Sequence, residues 1–291
     1  MAMMVTVAIV LGVYVASPPA SAAAVWTPAP GTTWQWQIVG AVEAFEDVAA
    51  YDVDLTDAIP RRTRVQVPGF GAATWPRGEN AGIVARLHAA GKVAVCYLDS
   101  GAWESYEPDA HLFPRRSLGR TTGWSGERWL DIRPRRRARF APIIWARFRL
   151  AARIGCDAVE PDQNNPIGND PGFPISRRQE RSWYLSVARH AHAAGLSVGM
   201  KNGVEVIDAA TVRAFDWALN EECFFYRECG RMQPFIAAGK AVFQTEYTDD
   251  WRRRGAPQPG QVAAEVCAAA RRRGFSTLIK RRVPDASLVA C

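Results

Sequence analysis

The chain reads as one α/β domain of the (β/α)8 TIM-barrel type, and three observations predict it. An alanine-rich stretch, a glycine and an apolar β-type run recur five times in that order, at residues 87–97, 150–160, 192–200, 236–244 and 268–279. Four further apolar runs, at 34–39, 48–55, 129–132 and 217–219, raise the strand candidates to eight or nine. That number suits a barrel better than an open sheet. A length of 291 residues at 48% hydrophobic composition is enough for a single core of that size.

Taken in order, the first 22 residues stand apart. Residues 5–16 are apolar, Ser17-Pro18-Pro19 interrupts the run, and Ala20-Ser21-Ala22 carries the small residues of a cleavage site. Residues 1–22 are therefore predicted to be a secretory signal, and 23–291 the mature domain. The apolar run is too short to span a bilayer comfortably. The mature chain is expected outside the cell, free of the membrane. In each repeat the glycine supplies the left-handed residue that ends a helix, and strand–helix–strand alternation lays strands parallel. Segments from helix to strand are short, whereas those from strand to helix are longer and acidic. The longest, 163–175, is rich in Asn, Gly and Pro and stops at Ser176, which with Gln179 forms a capping-box pattern.

Six cysteines in a secreted chain permit disulfides. Cys223 and Cys229 are predicted to bridge, and Cys267 and Cys291 can clip the tail; Cys96 and Cys156, inside apolar runs, read as buried thiols. No spacing suggests a metal site, and no cofactor is expected. His88, His190 and His192 fall on predicted helix surfaces and His111 in a loop. The net charge of +7 comes largely from arginine clusters such as 133–139 and 271–273. Without interleaved aromatics these read as solvated faces, so no nucleic-acid partner is predicted.

The strand ends carry the chemistry. In a parallel barrel the strand C-termini form the site, and there the chain places Asp52 and Asp54, Asp99, Asp131, Glu160 and Asp162, Lys201 and Asn202, Glu221, and Glu246 with Tyr247. Alternation puts Ala158, Glu160 and Asp162 on one face, and Trp217, Leu219 and Glu221 on another. Asp162 and Glu221 are the outermost acids of the two, and paired carboxylates are the usual machinery for cleaving glycosidic bonds. Lys201 is expected near an acid such as Glu160, with Asn202 orienting carboxylates or binding hydroxyls. Asp54, Asp99, Asp131 and Glu246 are candidates for the cavity wall, against the plainer reading of turn or solvated residues. Trp103, Trp124, Tyr226 and Tyr247 are candidate stacking faces for sugar rings, and Trp34, Trp36, Trp145 and Trp217 read as packing.

Several strings in this order resemble the endo-α-1,4-polygalactosaminidases of glycoside hydrolase family 114. They are Cys96-Tyr97-Leu98-Asp99-Ser100-Gly101-Ala102-Trp103-Glu104, Trp129-Leu130-Asp131-Ile132-Arg133, residues 155–164, Val198-Gly199-Met200-Lys201-Asn202, Asn220-Glu221-Glu222-Cys223-Phe224 and Glu246-Tyr247. The likeness spans about residues 33–247 and departs from the family pattern at Asp99, Gln163 and Glu222. It implies a TIM-type barrel that hydrolyses α-1,4-linked galactosamine polymers, with Asp162 as nucleophile and Glu221 as general acid/base; the chain is expected to be a monomer. A partly deacetylated polygalactosamine is cationic, so a basic chain must present a locally negative cleft to bind it. A non-catalytic carbohydrate-binding barrel, or a glycosidase for another α-linked amino sugar or a neutral glycan, are the alternatives.

Overall fold

A computed structural model describes residues 25–256 and 258–291. Eight strands run parallel in chain order: β1 (Trp34–Trp36), β2 (Ala50–Asp54), β3 (Val93–Asp99), β4 (Ala158–Asp162), β5 (Ser197–Lys201), β6 (Trp217–Glu221), β7 (Val242–Tyr247) and β8 (Ser276–Lys280). Each pairs with its neighbours in sequence, and a short strand, Val289–Ala290, adds antiparallel to β8. Helices cross back between successive strands from β2 onward: α1 (Ile83–Ala89), α2 (Ala141–Ile154), α3 (Arg177–Ala193), α4 (Ala209–Ala214), α5 (Gln233–Ala237) and α6 (Pro259–Arg273). The predicted glycine stops hold, with Gly155 at φ 96° after α2 and Gly274 at φ 74° after α6. The capping box at Ser176 and Gln179 starts α3 as expected.

Two apolar layers show that the sheet curls. Trp34, Trp36, Ala50, Val95, Ala158, Trp217, Phe243 and Leu278 form one cluster drawn from strands on both sides of the sheet. Residues so far apart along a sheet can touch only if it bends around them. The opposite strand faces, including Val53, Cys96, Val159, Met200 and Val242, pack with the helices in the larger cluster. At the seam between first and last strands, Trp34 Nε1 donates to Ser276 O at 2.9 Å and Lys280 Nζ donates to Gln35 Oε1 at 2.6 Å. Among the described residues these side-chain bonds, not a backbone ladder, join β1 to β8.

Two expectations need correction. The run at 129–132 is not a strand of the parallel sheet: Glu127–Leu130 pairs antiparallel with Ala102–Glu104 and Leu118–Thr121 in a ribbon that follows β3. Between residues 104 and 126 the only helical segments are two three-residue 3-10 turns, too short to return the chain to the sheet's starting edge, and without a crossover a parallel partner is out of reach. Cys96 and Cys156 are not free thiols but a disulfide with Cα atoms 6.1 Å apart. Cys96 lies on β3 and Cys156 two residues before β4; the β3–β4 register aligns Val95 with Ala158 and brings the two together. The bridge Cys223–Cys229 forms as predicted, and Cys267–Cys291, which the sequence left open, forms as well. The predicted secretory signal lies outside the described residues. Among the described residues no helix is long and apolar enough to cross a membrane.

Candidate active site

Strand parity aims the site inward. Ala158 and Trp217 lie in the inner cluster, so two-residue alternation carries Glu160 and Asp162 on β4, and Glu221 on β6, toward the same interior. Lys201, 1% exposed at the end of β5, stands among them. Its ammonium lies 2.5 Å from Glu160 Oε1, 3.2 Å from Asp162 Oδ2 and 3.4 Å from Glu221 Oε2. One nitrogen at those two longer distances holds the nearest Asp162 and Glu221 oxygens no further apart than about 6.6 Å, so both carboxylates face one small space. The Trp36 ring covers the ammonium, 4.5 Å from its centroid.

Short bonds fix each carboxylate. Asp162 Oδ1 accepts from the Gln163 backbone N–H at 2.6 Å, and Tyr97 OH lies 3.3 Å from Oδ2 and 3.1 Å from Asp99 Oδ1. Glu221 Oε2 accepts from Asn202 Nδ2 at 2.7 Å, Glu221 N–H donates to Asn202 Oδ1 at 2.9 Å, and Tyr247 OH donates to Oε1. Gln163, Asn202 and Glu222, each directly after the strand end that bears one of these groups, have φ of 58°, 49° and 61°. Left-handed backbone costs about 1–3 kcal/mol per non-glycine residue in general, and clusters of it mark sites where geometry outweighs comfort. Gly101 is required for a related reason: a Cβ there would lie 1.8 Å from Gln163 O.

Burial and charge push the pair apart in acidity. Burial raises the Asp162 carboxyl above its ordinary range and Glu221 adds to this, Lys201 only partly offsetting them. Burial also acts on Glu221, but Lys201, Tyr247 and Asn202 overcome it and hold that carboxyl below the usual value. Glu160, wholly buried, is pushed up to about 7 by burial against the pull of Lys201. Burial disfavours the Lys201 ammonium, yet Asp162, Glu160 and Glu221 together raise its pKa well above normal.

Above the pair opens a cavity of about 420 Å³. Asp54, Asp57, Glu104, Glu107 and Glu127 line it together with Asp162 and Glu221. Arg282 is the one basic residue among the described residues lining it, and it already faces Asp250 and Glu222. The cleft is thus rich in carboxyl groups within a chain of net charge +7. Burial and then Glu107 raise Asp54 to about 8, and burial likewise brings Glu104 to about 8 against Arg147. Oxygens of Asp99, Glu104 and Glu127 lie within 4.8 Å of one another, close enough to share a cation. Tyr106, Trp124 and Tyr247 supply aromatic wall.

Of the expected residues, Asp54, Trp124, Asp162, Glu221 and Tyr247 line the cavity, and Asp99, Glu160, Lys201 and Asn202 support it from behind. Four do not reach it. Asp131 follows the ribbon strand and is tied to Arg133, with both bonds at 2.7 Å. Glu246 has the opposite parity to inward-facing Tyr247; it points away and accepts from Phe224 N, Phe225 N and Trp251 Nε1, holding the loop after β6. Trp103 Nε1 donates to Ala110 O, and its ring borders a different cavity. Tyr226 is exposed, edge-on to Phe225, and is not among the lining residues. Trp36, expected as packing alone, also lines the cavity. Sequence reasoning missed Tyr97, whose parity with Asp99 was readable, and Glu104, Tyr106, Glu107 and Glu127, which arrive on the ribbon. Buried Arg147 anchors that ribbon through Glu104 Oε2 at 2.8 Å and Asp109 at 2.7 Å.

An inward-facing carboxylate pair at the strand ends of a curled parallel sheet, under an acidic and aromatic cleft, defines a glycoside hydrolase. The chain belongs to glycoside-hydrolase family GH114, whose family model matches residues 15–291. Ega3 of Aspergillus fumigatus, solved in complex with galactosamine, is 29% identical with a TM-score of 0.74, over 91% of this chain and 97% of that one. The glycoside hydrolase domain of PelA from Pseudomonas aeruginosa, 13% identical with a TM-score of 0.61 over 89% and 98% of the two chains, shares the fold. No curated protein matches the chain.

Proposed function

We propose that the chain is a secreted, endo-acting hydrolase of α-1,4-linked galactosamine polymers, built as a (β/α)8 barrel and working by double displacement. Asp162 attacks the anomeric carbon while Glu221 gives its proton to the departing glycosidic oxygen; Glu221 then takes a proton from the water that displaces Asp162. The observation that carries this reading is the single ammonium of Lys201 shared by both carboxylates at 3.2 and 3.4 Å. Lys201 fixes their spacing and favours the anionic form that Asp162 needs as nucleophile; the same pull on Glu221 confines its protonated form to the acid side. The acidic wall supports a cationic amino sugar as substrate, and the galactosamine held by Ega3 points the same way. Tyr106, Trp124 and Tyr247 offer flat faces for sugar rings. Three disulfides accord with an oxidising compartment, and endo action follows the family pattern.

Release of new reducing ends from an α-1,4-galactosamine polymer tests the proposal. Wild type is expected to generate short oligomers, and Asp162→Asn to bind the polymer without cutting it. Cleavage by Asp162→Asn at the wild-type rate, or cleavage only of an acetylated or neutral glycan by wild type, would overturn the reading.

A further inference from the structure

Beneath the carboxylate pair lies a second one. Asp52, 2% exposed, and Glu160, wholly buried, share the inward parity of Ala50 and Ala158 on β2 and β4, the two strands that flank β3, and their carboxyls come close enough to interact. Among the described residues, neither oxygen of Asp52 nor Oε2 of Glu160 meets a donor. The nearby ammonium has none to spare, since its three N–H bonds serve Glu160 Oε1, Asp162 and Glu221. The indole Nε1 of Trp36, from β1, is itself without an acceptor and so does not reach them. From β3 the register partner of Asp52 is apolar Val95. Two bare carboxylates side by side in a dry interior repel each other and leave acceptors unmet; one proton between them removes both penalties.

We propose that Asp52 and Glu160 share one buried proton, Asp52 as acid and Glu160 as carboxylate, and that this proton keeps Lys201 in place between Asp162 and Glu221. The lower pair then carries a single negative charge, and the ammonium is left free to act on the upper two carboxylates. Loss of the proton would add a second charge below and draw Lys201 away from Glu221. Burial first, then Glu160, push the Asp52 carboxyl well above its ordinary range, with Asp162 adding to the rise and Lys201 opposing it. Asp52 is a positioning residue that touches no reacting atom. Its effect on the upper pair rests on the proposed roles of Asp162 and Glu221; the proton itself does not.

Asp52→Asn replaces an ionisable O–H donor with a permanent N–H donor. At neutral pH the wild-type minus Asp52→Asn infrared difference spectrum is expected to show a carboxylic-acid carbonyl band over and above those of Asp54 and Glu104, which both proteins share. A folded pKa above the unfolded value gives stability that is full below about pH 4 and drains away as pH rises, so between about pH 5 and pH 8 the variant's melting temperature should gain several degrees on wild type. Its kcat/KM should stay within about threefold, while Asp52→Ala, with no donor, should lose tenfold or more. If Asp52→Asn does not fold, Glu160→Gln tests the same proton: with its charged neighbour gone, Asp52 should ionise at lower pH, and the pH at which its band disappears should fall. A difference spectrum without the band at neutral pH, or a melting difference that does not move with pH, overturns the shared proton. Equal loss of kcat/KM in Asp52→Asn and Asp52→Ala, with the band present, overturns the positioning role alone.

Discussion

Replacing Lys201 with methionine removes one positive charge and little volume, and the structure says what that charge balances. The ammonium is 1% exposed and lies within 3.4 Å of three carboxylates. Taking one partner from a buried ion pair destabilises by about 3–5 kcal/mol. In a chain of this size each kcal/mol moves the melting temperature by roughly 2–4 °C, so Lys201→Met should melt roughly 10 °C below wild type at neutral pH. The deficit should depend on pH. Glu221 is held below its unfolded pKa chiefly by Lys201 working against burial. Its contribution is therefore present above about pH 4.5 and is lost as pH falls through the lower folded value. Asp162, raised even with Lys201 present, takes up its proton earlier on the way down. Once protonated, the carboxylates no longer need the ammonium, so the gap should narrow from pH 7 to about pH 4 as Asp162 takes up its proton, and close only below the folded pKa of Glu221. Thermal unfolding followed by circular dichroism at both pH values measures this. A deficit under 2 °C at neutral pH, or one unchanged by acid, would refute the reasoning.

Other expectations follow from the same geometry. With Asp162 raised and Glu221 lowered, the alkaline limb of kcat/KM should report Asp162 and the acid limb, below the usual glutamate range, Glu221; a profile with no alkaline limb contradicts it. Glu221→Gln should lower kcat by about 10²–10⁴-fold toward a poor leaving group, with the melting temperature reporting an intact fold. Trp124→Ala, which strips an exposed aromatic from the cleft wall, should raise KM about tenfold and leave kcat nearly unchanged. Breaking Cys96–Cys156, with 60 residues between its ends, should cost about 4 kcal/mol, against about 2 kcal/mol for Cys223–Cys229, which spans 6; denaturant titration of the paired Cys→Ala variants orders them.

Local rules made part of this protein readable from its residues, and long-range packing hid the rest. The helix-stopping glycines at 91, 155, 195, 239 and 274 report a backbone state that few other residues tolerate, so the alternation of helix and strand was legible. Parity along β4 and β6 put Asp162 and Glu221 on inward faces before any coordinates. The same parity applied to β7 would have turned Glu246 away, because Tyr247 faces in. The run Trp129-Leu130 is as apolar as a sheet strand, and only the missing crossover helix tells it apart. That ribbon also brings Glu104, Tyr106, Glu107 and Glu127 into the cleft, which no local pattern encodes. Cys96 and Cys156 were read as buried, yet their pairing depends on β3 and β4 being neighbours across 60 residues.

The role of Asp162 is tested most directly by chemical rescue. Asp162→Gly opens the space of the missing carboxylate, and with an activated α-galactosaminide and sodium azide the azide should enter from that face. The account predicts recovered turnover and a β-configured glycosyl azide. Recovery through an α-configured azide, or wild-type-like hydrolysis with no azide product, would contradict it.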